Sequence, residues 1–397
     1  MSAGQAANRL GVKVETLYAY VSRGVISRHR SPSGRGSVFD PLEVEALARR
    51  GRPRRTTRPP AIEFAIETRL TAIGDHVIRY RGRNAATLAR SATFEQVAEL
   101  LWTGTLPEHP PRWNSNRPPV LPAPGTLVDQ IRMAVPRAAV DDPLRGDLRT
   151  DAVVATGRAL VAGLVESLPL RGESRTPGLV LAADGTSHPG TMAGRLWARL
   201  VRGRPRPGAV AVLNAALVLL ADHELAASTL AARIAASTRA DPYAVVMAGL
   251  GPLAGPLHGG ASRAARRLLD EAAAPAGVEA ALAEALRLHG AFPGFGHRLY
   301  ADGDPRAAQL LEMLRRAAGA SPAMVLVDRV LEGAERRVRT APNVDFALAA
   351  LGSVLSMPPE AGEVVFTVAR CAGWLAHAIE EYGEDPLRFR PRARYVG

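Results

Sequence analysis

From Thr93 onward, nearly every segment of this 397-residue chain is an Ala-, Leu- and Val-rich stretch of helical length, closed off by Gly or Pro. No strand–helix alternation runs through it and no short repeat recurs, so the body is expected to be mostly α. Thr93-Phe94-Glu95-Gln96 is a capping box that opens a helix over VAELLW, and Gly104 stops it. Val210–Ser237 is apolar nearly all round, which predicts a helical stretch at the centre of the core. Asp222, His223 and Glu224 lie inside it and are costly to bury without partners. Taken by itself, His223 reads as a core histidine with a satisfied ring. Residues 67–81 alternate around Gly74-Asp75 as a hairpin does, and Pro119–Pro124 and Leu168–Gly190 read as loops.

Charge separates the first sixty residues from the rest. They hold twelve Arg or Lys against four acids, a balance of +8 out of the chain's +12. A short helix over about Ala3–Leu10 meets a turn at Gly11-Val12-Lys13, and a second helix follows over Val14–Ser22. Leu10, Val12, Leu17 and Val21 are spaced to form a small core. Val25–Phe39 alternates around Ser31-Pro32-Ser33-Gly34 as a two-stranded wing, and Asp40-Pro41 caps a third helix through Arg50. These features resemble the winged helix-turn-helix of MerR-type and excisionase-like DNA-binding domains. The resemblance implies a groove-facing surface that includes Thr16, Tyr18, Tyr20 and Arg23. The competing reading is a small basic protein-interaction module. Residues 51–61, rich in Arg and Pro, form a linker.

Several chemistries are excluded by counts. Cys371 is the only cysteine, so neither an intrachain disulfide nor a cysteine-rich zinc site is available, and no metal site is expected. Lys13 is the only lysine, which removes Schiff-base chemistry from the body. The longest apolar run, Ala209–Ala221, is too short to span a bilayer, and no signal-peptide pattern opens the chain. A soluble cytoplasmic protein without membrane partners is expected.

The stretch Gly251–Leu355 concentrates ionisable residues at Gly- and Pro-punctuated turns: His258 in GPLHGGA, His297 in GFGHRLY and Asp345 in PNVDFAL. Two imidazoles and a carboxylate so placed suit proton transfer on a small molecule. His258 precedes a helix over Ala261–Ala273, whose positive end would keep the imidazole neutral. Each residue also has a structural reading. Asp345 opens a helix as a cap would, Arg306 follows Asp304-Pro305 as a first-turn surface residue, and Arg370 could snorkel from its helix.

Seven ordered segments, IRYRGRNAATLARSATFEQVAELLWTGTLP, LADHELAAST, GPLHGGA, GFGHRLYADGDPRA, PNVDFALAALG, VARCAGWLAHAIEE and RPRARYVG, resemble the citrate synthase family across about residues 62–397. The resemblance implies a homodimer of mostly helical subunits. Each would have a large domain over 62–254, a small domain over 255–341 and a return segment over 342–397. It implies condensation of acetyl-CoA with oxaloacetate to citrate and CoA. Asp345 would be the base, His258 the donor to the thioester oxygen and His297 the donor to the ketone. His223, Arg306 and Arg370 would hold substrate carboxylates, with Arg390 reaching the partner's site. Arg298 could meet CoA phosphates, since Ala301 stands where the family often has Lys or Arg. Ala226 and Ser262 also depart from the family pattern, both standing where Asn is usual. The coenzyme A thioester is a substrate, and no tightly bound cofactor is implied. Two alternatives stay open: a 2-methylcitrate synthase using propionyl-CoA, and a DNA-binding regulator whose body senses oxaloacetate, citrate or an acyl-CoA.

Overall fold

The computed structural model describes residues 1–397 except 11, 23–24, 31–36, 42, 45–46, 48–65, 75, 116–124, 172–178, 182–186, 301, 339, 392, 394 and 396–397. Two compact units emerge, Met1–Glu67 and Thr68–Gly397. In the first, α1 (Ala3–Leu10) and α2 (Val14–Ser22) precede an antiparallel pair, β1 (His29–Arg30) and β2 (Ser37–Val38). Ala6, Leu17, Tyr20, Ile26, Phe39 and Val44 form its core. Tyr20 therefore corrects the sequence reading. It lies three residues beyond Leu17 on the same helical face, is 9% exposed and packs inward instead of facing a groove. Tyr18 is exposed and meets Phe39 edge-on, and Thr16 is half-buried. Arg23, most of the predicted third helix and the expected linker lie outside the described residues, although residues 41, 43, 44 and 47 are helical.

The second unit opens with a three-stranded antiparallel sheet, β3 (Thr71–Gly74), β4 (Val77–Tyr80) and β5 (Arg83–Asn84). Gly74 pairs with Val77 across the predicted hairpin turn. Helices follow: α3 (Ala85–Ser91), α4 (Phe94–Thr103), α5 (Leu127–Val140) and α6 (Thr150–Glu166). The Thr93 capping box forms with Gln96, and Gly104 ends α4 in the left-handed conformation. The stretch read as a loop, Leu168–Gly190, instead contains β6 (Leu179–Leu181) paired with β7 (Ser187–Pro189). Next come α7 (Met192–Leu200), α8 (Ala209–Leu220), α9 (Ala227–Ser237) and α10 (Pro242–Leu253). Then follow α11 (Ala261–Ala272), α12 (Gly277–His289), α13 (Pro305–Ala318), α14 (Pro322–Glu335), α15 (Val344–Val354) and α16 (Ala361–Tyr382). Sixteen helices among the described residues bear out the mostly α reading.

Two features position the ionisable residues. The apolar run expected as one helical stretch is two helices, and the break at 221–226 carries Asp222, His223 and Glu224, the last at φ 53°. Leaving the helix lets these polar side chains find partners on other elements. Second, α16 is buried along almost its whole length and packs against α4, α6, α8, α9 and α10. It brings Arg370 against the break. Gly373, one turn on, allows that approach, because a Cβ there would strike Asp222 Oδ1 and lie 2.5 Å from Ala221 O.

Candidate active site

Asp222 is fully enclosed and accepts from Thr71 Oγ1 at 2.5 Å, with His377 Nε2 3.4 Å away. Desolvation pushes its carboxyl up, but His377, Arg370 and Thr71 outweigh that and hold it below the usual range. Arg370 donates from Nε to Leu220 O at 2.9 Å and is 1% exposed. Its Nη2 is buried and has no protein partner among the described residues, a charged donor awaiting an acceptor. Burial drops its pKa to about 10, still far above neutrality. His223 is held well below the ordinary imidazole range by burial and by Arg306, Arg370, His297 and His258. It is therefore neutral.

His258 sits on the turn between α10 and α11, where its Nε2 is 2.9 Å from Ser228 Oγ and its ring meets Phe366 edge-on. Arg370 lies over the same Phe366 ring, 4.7 Å from its centroid. The expectation of a neutral His258 agrees with a pKa lowered to about 4, but the cause is burial first and Arg370 second. Enclosure beside a cation keeps this ring neutral.

Backbone stitching sets His297 beside Asp345. Gly296 N–H donates to Ala341 O, Asn343 N–H to Gly294 O, and Asn343 Nδ2 to Gly296 O, all at 2.8–2.9 Å. Gly294 is required here: at φ 83° its Cβ would stand 2.8 Å from Phe346 Cβ. Asn343 also caps α15, accepting from the backbone N–H of Asp345 and Phe346. The cap role offered as an alternative for Asp345 is thus taken by its neighbour, and the Asp345 carboxyl is left for other work. Asp304 is the second tie. It accepts Arg306 Nε at 2.9 Å, Arg306 Nη2 at 2.8 Å and Val344 N–H at 3.0 Å. Arg306 is 3% exposed, so it is no surface residue.

The two carboxyls differ in their partners. Asp304 is held below its usual range because Arg306 and Val344 overcome desolvation. Among the described residues Asp345 has no such direct partner; desolvation raises it to about 7 against a weaker pull from Arg306. His297 Nδ1 accepts from Leu299 N–H at 3.1 Å, which places a neutral ring's proton on Nε2. That N–H lies 3.5 Å from Arg306 Nη2. The ring and the guanidinium therefore face the same small space, where a substrate oxygen could accept from both once it displaces their long mutual contact.

His223, His258, His297, Arg306, Arg370 and Asp345 thus gather in one site. Arg298 is exposed beside it in sequence, and Arg390 is exposed on a segment that Arg388 anchors to Glu381 with two bonds of 2.7 Å. Sequence reasoning misses Ser228, Tyr300, Asp304 and Asn343 as site residues. Of these, Asp304 before Pro305 and Asn343 after Pro342 carry a signal in the sequence, and each signal points to a local helix cap. A cavity of about 780 Å³ between α5 and α6 holds none of the gathered residues. Among the described residues no His, Cys, Asp and Glu group forms a metal site, and no described helix is long and apolar enough to cross a membrane.

A family model described as citrate synthase, C-terminal domain, matches residues 63–392. The chain belongs to the citrate synthase family. It is 31% identical over 360 residues to Citrate synthase 2 of Bacillus subtilis, covering 84% of this chain and 94% of that one. It is 29% identical to 2-methylcitrate synthase 2 of Corynebacterium glutamicum, covering 81% and 88% respectively. The crystal structure of citrate synthase from Thermotoga maritima superposes with a TM-score of 0.66 at 26% identity, over 85% of this chain and 94% of that one. This citrate synthase-family protein is accordingly a condensing acyltransferase, and its match starts where the basic N-terminal segment ends.

Proposed function

We propose that the protein condenses acetyl-CoA with oxaloacetate, with Asp345, His258 and His297 carrying the chemistry. What supports this most is the gathering of Asp345, His258 and His297 around Arg306 and Arg370 in one site, where burial raises the Asp345 carboxyl to about 7 and lowers the His258 imidazole to about 4. A base near neutrality is matched to a weak carbon acid, and a neutral imidazole can donate without first losing a proton. Asp345 takes a proton from the acetyl methyl while His258 donates to the thioester oxygen, forming the enol or enolate. Its methylene carbon bonds to the ketone carbon of oxaloacetate, and His297 Nε2–H passes its proton to the new alkoxide. Water then cleaves the citryl-CoA thioester, giving citrate and CoA. Arg306, Arg370 and His223 hold the dianion's carboxylates, and the unpartnered Arg370 Nη2 favours this. Arg390 completes the partner's site in a cytoplasmic homodimer, Arg298 meets a CoA phosphate, and residues 255–341 close as a small domain that excludes water.

Free-thiol release from acetyl-CoA and from propionyl-CoA, with and without oxaloacetate, tests the reading. Oxaloacetate-dependent release is expected; none from either thioester would sink it. The relatives named 2-methylcitrate synthase favour propionyl-CoA as the second reading, and the ratio of the two rates decides.

For the N-terminal unit, two helices followed by a two-stranded ladder, on a segment of +8, favour a nucleic-acid partner contacted through residues 1–50. Tyr18 and Thr16 are the described candidates, and Arg23 stays a sequence-based one. A duplex-binding assay at low and high salt is the test, and no shift at low salt ends that reading.

A further inference from the structure

Three aromatic rings meet in the active site. His223 and His297 lie edge-on with centroids 5.6 Å apart, and Tyr300 tilts against His297 at 4.7 Å. The Tyr300 hydroxyl is 2.7 Å from His223 Nε2, and the residue is 4% exposed. Arg306 stands 5.9 Å over the same ring. None of the roles assigned so far uses Tyr300.

A neutral imidazole has one N–H and one bare nitrogen, so its partners decide which nitrogen can donate. To hold a carboxylate, His223 must offer its N–H to the substrate. Among the described residues no protein group meets its Nδ1, while Tyr300 meets Nε2. We propose that Tyr300 is a positioning residue: its hydroxyl donates into His223 Nε2, fixing the imidazole proton on Nδ1 as the donor to oxaloacetate. Burial raises the phenol to about 12, so it retains the proton this bond needs. With the opposite polarity, His223 would present a lone pair to an anion, which repels it. Tyr300 therefore acts on oxaloacetate binding through His223, and the acyl-CoA is untouched. The inference rests on the proposed role of His223 as a carboxylate ligand.

The test joins a spectrum to kinetics. Long-range proton–nitrogen NMR of histidine-labelled protein, with the His223 signals assigned by their loss in His223→Ala, is expected to show a protonated Nδ1 and a bare Nε2. Tyr300→Phe, which keeps the ring, is expected to raise the oxaloacetate KM about tenfold, the worth of one hydrogen bond to a charged group. The acyl-CoA KM should not move. A wild-type proton on Nε2 overturns the inference, and this holds whether or not the Tyr300 variant folds. So does an unchanged oxaloacetate KM in Tyr300→Phe while His223→Ala raises it. If His223→Ala itself leaves that KM unchanged, the carboxylate-ligand reading fails and takes the inference with it.

Discussion

Asp304 is buried and Asp345 half-buried at the same loop and helix start, yet one is held as an anion and the other is raised to about 7. The difference is partnership: Asp304 receives a guanidinium fork and a backbone N–H, and among the described residues Asp345 receives neither. Asp345→Asn is expected to cut CoA release by about 10²–10⁴, the usual worth of a positioned base. The wild-type kcat/KM should fall as pH drops through about 7, with His258 staying neutral down to about 4. Stability must move the other way. A carboxyl raised from 3.8 to about 7 binds its proton more tightly in the folded state. It therefore favours folding at low pH, and that advantage is lost as pH rises from 3.8 to about 7. Asp345→Asn should thus melt higher than wild type at pH 8, by at most about 4 kcal/mol, and the gap should close below about pH 4.

At the level of elements, the site depends on how closely α16 approaches the break between α8 and α9. Gly373→Ala would push Asp222 and Ala221 away from the helix that carries Arg370. Overpacking of this kind costs about 1–3 kcal/mol. Thermal unfolding should register that loss, and the oxaloacetate KM should rise because His223 and Arg370 shift together. The break itself is not legible from periodicity. Ala and Leu on both sides keep the apolar count high, and only Asp222-His223-Glu224 marks a place where a helix would have to bury charge. The His258, His297 and Asp345 turns are legible because Gly and Pro punctuate them. Ser228 and Tyr300 are not, since each serves a residue distant in sequence and the pairing exists only once the chain is folded. Tyr20 fails for a related reason: its three-residue spacing from Leu17 matters more than its aromatic character.

Taken whole, the described residues form two cores, one around Leu17 and Phe39 and one built on α8 and α16. Removal of residues 1–62 is expected to leave oxaloacetate-dependent CoA release within about twofold, as for a domain with its own core. A larger fall would mean that the first unit serves the chemistry. Cys371, next to Arg370 in α16, adds a practical property. It is wholly enclosed, donates to Thr367 O at 3.2 Å, and burial raises its thiol to about 12. Native protein should thus give no background in a disulfide-reagent assay of released CoA. Each unfolded chain, by contrast, exposes one thiol and no other. The reagent that counts turnovers in the presence of substrate counts openings of the central helix in its absence. Slower labelling with oxaloacetate present would report, from a single sulfur atom, how firmly the ligand holds α16 shut.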